Sequence, residues 1–437
     1  MRRFYFLPIL VFSLLAVSGA QAQDFFMKTA GARAEAMGDT YVPSSSDAAG
    51  ALMSNPAGLT LLRGHNLNLD IDTIFARGSF TNSVNSNAPL SNAGVMPYGA
   101  FGAPIGHSRW SYGFGILPEF ASVADWKYVD APGAAGATYG LQQQKSAILA
   151  FQGVGGVGYT ISRYLSVGAT VAAVENRNTL QAPYIFQTQP TLAGAKTLLD
   201  LHTNGVGWNT SVGVLATPSK RFQFGASWKS RTIVHSTGTA TGDVGAQFAA
   251  LGVSAPSTFS YDAGVKCIFP QAVIGDLSWS VDPRWTVAFQ MDWTNWSNSF
   301  VQLPVTLTNG TNTTINGLVG SSTLLDTVPL QWKDQYGFHV GAERKMTEST
   351  ALRFGYAHAN DPVPASTLTP LTAAIMTNQI STGFAYQPGR SKWEISYAFR
   401  PTQSDSVGTS GLLLGEYNNS TVKVGTQSLI LSYSLKF

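Results

Sequence analysis

Three basic side chains, Lys229, Arg231 and Arg353, fall by strand alternation on the face that a closed sheet would turn inward. In a dry interior such a cation can hold a carboxylate, because an unpaired buried charge is costly. Arg353 sits opposite Glu343 across the turn KMTES, so an ion pair within the wall is its expected role. A second constellation is steric. In RWSYGFGILP, Ser111, Gly113 and Gly115 share a face and Pro118 ends the run. Glycine permits a bulge and proline removes a ladder donor, so this stretch either kinks the wall or leaves room for something packed inside it. A third is apolar. Leu192, Leu198, Leu199 and Leu201 in LAGAKTLLDL, and Phe248, Leu251 and Val253 in AQFAALGV, lie in segments read as loops. Apolar surface there marks a binding groove or loop-on-loop packing.

Residues for covalent chemistry do not assemble. No G-x-S-x-G run is present, and the six histidines lack metal-ligand spacing. The lone Cys267 reads as structural. The expectation is a protein that is not an enzyme and has neither cofactor nor metal. A net charge of +3 is too small for a nucleic-acid partner.

The elements that carry these residues are strands. Arg2 and Arg3, the apolar run FYFLPILVFSLLAV and Ala20-Gln21-Ala22 form a signal peptide over residues 1–22. Charged residues are 12% of the chain, with 44 Gly, 24 Phe, 16 Tyr and 10 Trp. Ordinary globular chains carry about 25% charge. Few charges, many rings and many small polar residues suit a barrel with lipid outside and water or substrate inside.

HNLNLDIDTIFAR alternates, with Leu67, Leu69 and Ile71 on one face and Asn66, Asn68, Asp70 and Asp72 on the other. The final strand, SLILSYSLKF, does the same and ends on Phe437. Twelve candidates lie between them, roughly 95–104, 109–118, 145–159, 164–176, 206–216, 221–232, 270–281, 284–296, 335–344, 350–358, 379–386 and 391–400. Short turns (IGHS, TISR, TPSK, DP, KMTES, QPGR) alternate with long loops at 78–94, 119–144, 177–205, 233–269, 297–334, 359–378 and 401–424. That parity is the pattern of an outer-membrane barrel with both chain ends on the short-turn, periplasmic side. Rings repeat on alternate positions, as in Trp110, Tyr112 and Phe114 or Trp393, Tyr397 and Phe399, and predict a lipid-facing band. The fold expected is all-β: a fourteen-stranded antiparallel transmembrane β-barrel over residues 65–437.

Residues 23–64 have no period-two pattern. KTAGARAEAM predicts a short helix, and Ser45 or Ser46 is positioned to cap a second through DAAGALM. Asn55-Pro56 ends that helix and can start a third. Three short helices ahead of a barrel predict a hatch inside it.

The run GARAEAMGDTYVPSSSDAAGALMSNPAGLTLL, with its motif Asn55-Pro56-Ala57-Gly58, resembles the N-terminal hatch of the FadL/TodX family of outer-membrane transporters. Residues 269–297, with their tryptophan pair, and 351–370, with their Pro-rich loop, resemble later parts of the same family. The resemblance implies a plugged fourteen-stranded barrel that passively carries long-chain fatty acids or related hydrocarbons. It implies a landing groove between loops, a lumen pocket beside the hatch and release through a gap at a kinked third strand. It tips Ser111, Gly113, Gly115 and Pro118 towards that gap. It also favours the loop leucines, Phe248 and Val253 as the groove, and makes Arg177 a weak match to a basic family position. Expected partners are hydrophobic small molecules, outer-membrane lipid and lipopolysaccharide, and the barrel assembly machinery, with the protein a monomer. The rival readings are an open porin and a barrel serving as a secretion partner or surface receptor.

Overall fold

The computed structural model describes residues 26–44 and 47–437. The signal segment and the caps expected at Ser45 and Ser46 lie outside them. Fourteen barrel strands run among the described residues: β1 Asn66–Thr81, β2 Ala88–Pro104, β3 Trp110–Val129, β4 Leu141–Ser162, β5 Leu165–Ile185, β6 Lys196–Ala216, β7 in two pieces (Phe222–Lys229 and Thr232–Asp243), β8 in two pieces (Thr258–Phe269 and Ala272–Ser280), β9 Trp285–Thr294, β10 Gln335–Lys345, β11 Thr350–Ala359, β12 Asn378–Tyr386, β13 Ser391–Ser406 and β14 Thr421–Lys436. Each pairs antiparallel with its neighbours. The ring closes where β1 meets β14, from Asn66↔Lys436 to Thr81↔Thr421. The chain ends meet at that seam, with His65 and Phe437 exchanging backbone bonds of 2.9 and 3.0 Å.

Alternation explains the closure. Leu69 and Ile71 point out and are about half exposed, while Asn66, Asn68, Asp70 and Asp72 are buried inside. The outward rings of β3, β9 and β13 give the exposed apolar band expected of a lipid-facing wall. Higher on β1 the inner face changes character, to Ile74, Ala76 and Phe80.

The wall is taller than alternation predicts. Stretches read as loops continue as paired strand, such as Arg177↔Asn204 through Ile185↔Lys196 between β5 and β6. A further hairpin, Gln302–Thr308 with Leu324–Pro329, lies on β8 through Val305↔Val265. Above the lipid both faces of a strand meet water or protein, so apolar alternation, the signal used to find strands, disappears there.

Inside sit α1 (Gly31–Ala36), α2 (Ala48–Met53) and a 3-10 turn at Pro56–Leu61. The cap of α2 is Asp47, whose carboxylate accepts from the Gly50 N–H at 2.8 Å. Wall glycines make room for this hatch. A Cβ at Gly113 would stand 2.9 Å from Leu59, and one at Gly156 would stand 2.9 Å from Leu52.

Candidate functional site

The motif Asn55-Pro56-Ala57-Gly58 fastens the hatch to the wall. The Asn55 oxygen accepts from the Ala57 N–H at 3.1 Å, and its amide donates to the Val214 carbonyl at 3.0 Å. The expected third helix is a 3-10 turn begun by Pro56, whose fixed φ suits a first helical position.

The third strand is irregular where Pro118 sits. On its β4 side the register slips by one residue between Pro118 and Phe120, leaving Glu119 as a bulge. On its β2 side pairing holds from Pro104↔Ser111 to Gly99↔Ile116, stops, and resumes at Leu90↔Trp126. Residues 91–98 and 117–125 therefore share no ladder, although each stretch stays paired with its other neighbour, β1 or β4. The inside of this seam is occupied by the N-terminal segment. Phe26 forms an antiparallel bridge with Phe120, and the Met27 N–H donates to the Glu119 carbonyl at 3.0 Å. Ser111 and Gly113 lie on the hatch side below the seam and are buried, whereas a Cβ at Gly115 would strike Ala100 of β2. Of the four residues, Pro118 alone borders the open stretch.

Against the seam, lined by its Phe120 and Ser122, lies an apolar chamber of about 140 Å³. Phe120, Ile148 and Leu180 supply one side; Phe300, Leu303 and Trp332, from the long loop after β9, supply another. Its rings interlock: Phe120 and Phe300 have centroids 5.7 Å apart, and Phe300 and Trp332 4.9 Å. Trp296 joins this cluster and touches Phe26 edge-on at 6.3 Å. Phe120 thus belongs to the chamber and to the kink at once. The loop hairpin is clasped over the chamber by Asp326, whose carboxylate accepts from the Tyr184 hydroxyl at 2.5 Å and from the Gln187 and Thr188 N–H groups.

The chamber's charged lining is a single acid, Glu416. Burial pushes its carboxyl up, and Lys196 beside it, at 3.2 Å, partly offsets that. Lys196 is itself buried and bound to Asp130 at 2.6 Å. A wider cavity of about 340 Å³ at the short-turn end is lined mainly by polar groups, Arg33, Lys220 and Arg390 among them.

The basic residues singled out by sequence do not line the chamber. Lys229 faces inward but is ion-paired to Glu119 beneath it, its ammonium 5.4 Å from the Phe26 ring centre. Arg231 is exposed, contrary to the parity expectation. The pairing of β7 with β6 gains one residue between Lys229 and Thr237, across Ser230 and Arg231, and this flips the faces so that Thr232 points in. Arg353 is buried between Glu343 (2.7 Å) and Glu394 (2.6 Å), a tie within the wall. Arg177 is exposed and paired with Glu175 at 2.7 Å.

The loop residues are likewise dispersed. Leu198 and Leu199 belong to β6, opposite Pro183 and Ala182. Leu199 and Phe248, on a short helix at Gly245–Leu251, are buried in one cluster against which Leu192 packs. Leu251 and Val253 are exposed. None of the six borders the chamber. Sequence reasoning missed Phe120, Trp296, Phe300 and Trp332. The available signal was a group of large rings in a loop without strand period.

Residues 10–436 match the profile of a family described as outer membrane protein transport protein (OMPP1/FadL/TodX). The chain belongs to that family. Its members are transport channels rather than enzymes, and its setting is the outer membrane. Among solved structures, this FadL/TodX member is similar to the Pseudomonas putida toluene transporter TodX, at 19% identity and TM-score 0.73, covering 95% of this chain and 100% of that one. It is similar to the Ralstonia pickettii toluene transporter TbuX, at 19% and 0.69, over 94% and 99% of the two chains. It is also similar to a Pseudomonas aeruginosa FadL homologue, at 14% and 0.73, over 97% and 100%. Identities this low carry the fold alone. No curated protein matches the chain.

Proposed function

We propose that this channel passively carries hydrophobic small molecules, long-chain fatty acids or related hydrocarbons, from the apolar chamber sideways into the membrane through the seam between β2 and β3, with the short turns and both chain ends in the periplasm. The observation that carries the reading is the missing ladder between residues 91–98 and 117–125, a stretch that itself supplies Phe120 and Ser122 to the chamber wall. Lateral release spares an apolar solute a wet bore, at about 25 cal/mol for each Å² of apolar surface kept from water. The toluene named for two of the structural relatives supports a hydrocarbon as the guest. So does the chamber's charge. Its one charged lining group is an acid, which disfavours a second carboxylate.

The test places cysteines at Met96 and Ala121, both buried and on opposite sides of the seam, in a Cys267→Ser background. A cleavable bis-maleimide then bridges them. Uptake of labelled toluene and labelled oleate is measured in a deletion strain. Bridging is expected to stop uptake of both and cleavage to restore it. Undiminished uptake through the bridged seam would reject lateral release. A strain that takes up both compounds normally but loses a secreted cargo would reject transport itself.

A further inference from the structure

The six short turns lying between strands hold Arg109, Arg163, Lys220, Arg221, Arg284 and Arg390 against only Asp282 and Glu348. In the first four turns an arginine is followed directly by a ring: Arg109-Trp110, Arg163-Tyr164, Arg221-Phe222 and Arg284-Trp285. These turns are successive around the wall and begin at the hairpin of β2 and β3. All four arginines are exposed, and none has a carboxylate partner among the described residues. The Arg109 guanidinium donates to the Ile161 carbonyl at the end of β4 at 3.2 Å. Arg163 lies over the Tyr164 ring at 4.5 Å, and Arg344 lies over Trp285 at 5.3 Å. Asp282 is turned to its own backbone, accepting from the Arg284 and Trp285 N–H groups at 2.7 and 2.8 Å. By contrast Arg177, well along β5 from the short turns, carries its own Glu175.

A ring at the lipid boundary settles at headgroup depth. A guanidinium one residue away then stands at the plane of the phosphates, with a fork of donors that fits two phosphate oxygens. We propose that these four Arg–aromatic pairs form a belt that binds anionic phospholipid headgroups around the short-turn rim, on the side of the barrel that contains the seam. The occupant is a phosphodiester whose charge is not cancelled by an attached amine, since the belt has almost no acids to receive one. The belt does not depend on what the chamber carries.

The test reconstitutes the full chain in vesicles of equal phosphatidylglycerol and phosphatidylcholine, extracts it gently and counts retained lipids by native mass spectrometry. The wild type is expected to retain phosphatidylglycerol preferentially. The preference should fall on the order of fivefold for each arginine removed in the series R109Q, R163Q, R221Q and R284Q. Heat-modifiable mobility should stay unchanged, because these side chains are exposed and make no ion pair with the wall among the described residues, Arg221 also bordering the polar cavity at the short-turn mouth. Arg177→Gln should leave the preference intact, and arginine-to-lysine versions should keep part of it. Equal retention of the two lipids by the wild type, or undiminished preference in the fourfold variant, would overturn the proposal. Displacement of the lipid by inorganic phosphate without regard to headgroup would also overturn it, leaving a simple oxyanion site.

Discussion

Phe26 and Phe120 pair as a two-residue antiparallel bridge, so the start of the described chain closes the inside of the wall where that wall lacks its own ladder. Replacing Phe26 by alanine removes a buried ring that also meets Trp296. The expected cost is about 3–5 kcal/mol in reversible urea refolding. The second expected outcome is a rise in ion leak through the protein in planar bilayers. Unchanged leak would mean that the ring fills space without sealing a path.

Lys229 is expected to be a strut for Glu119 rather than a grip for ligand. Lys229→Met leaves a fully buried carboxylate without its cation and should destabilise by about 3–5 kcal/mol. Adding Glu119→Gln should recover most of that loss. If the double variant refolds well but no longer binds oleate, Lys229 contacts ligand after all.

The resemblance puts Gly113 at a gap in the wall, where added bulk would block uptake without touching the fold. The Leu59 contact revises this. Gly113→Leu is expected to push against the hatch and cost about 1–3 kcal/mol. Loss of uptake with unchanged stability would restore the original expectation.

The acid at the chamber wall makes a specificity prediction. Glu416→Lys should strengthen oleate binding about tenfold, the gain of one charge-assisted hydrogen bond, and leave toluene binding nearly unchanged. Binding is read from quenching of the tryptophan cluster. Equal gains for both ligands would show a change in shape rather than charge.

Asp334, in the loop before β10, gives a pH prediction. Burial alone would raise its carboxyl, but bonds from Ser297, Trp293 and Asn295 hold it below the usual carboxylate range. A lowered folded value means the loop clasp is at full strength above the ordinary carboxylate pKa. It is lost as pH falls through the depressed one. Trp293, 2.9 Å from Asp334, should shift its fluorescence to the red in that acidic window, and Asp334→Asn should abolish the transition.

The lipid-spanning parts of the fourteen strands and the hatch motif were legible because period-two alternation and the Asn-Pro start are local signals. Pro118 was legible as a break for the same reason. The chamber was not. Trp296, Phe300 and Trp332 occupy a long loop, where no period ties a side chain to a face, and they meet Phe120 only after closure. Arg231 was misplaced because a one-residue bulge reverses every later face and leaves no mark in the sequence. Leu198 and Leu199 were read as loop residues because strands above the lipid no longer alternate.

The inner face of β1 turns from Asp72 to Ile74 within one step of its pleat. On this strand the inner face is acid and amide near the short turns and apolar beyond them. Under the proposed function, a hydrocarbon moving down this face meets acid at Asp72, which pairs with Met96 in the stretch of β2 that lacks a ladder to β3. On that reading selection follows solubility before shape, and guests of quite different outline share one route.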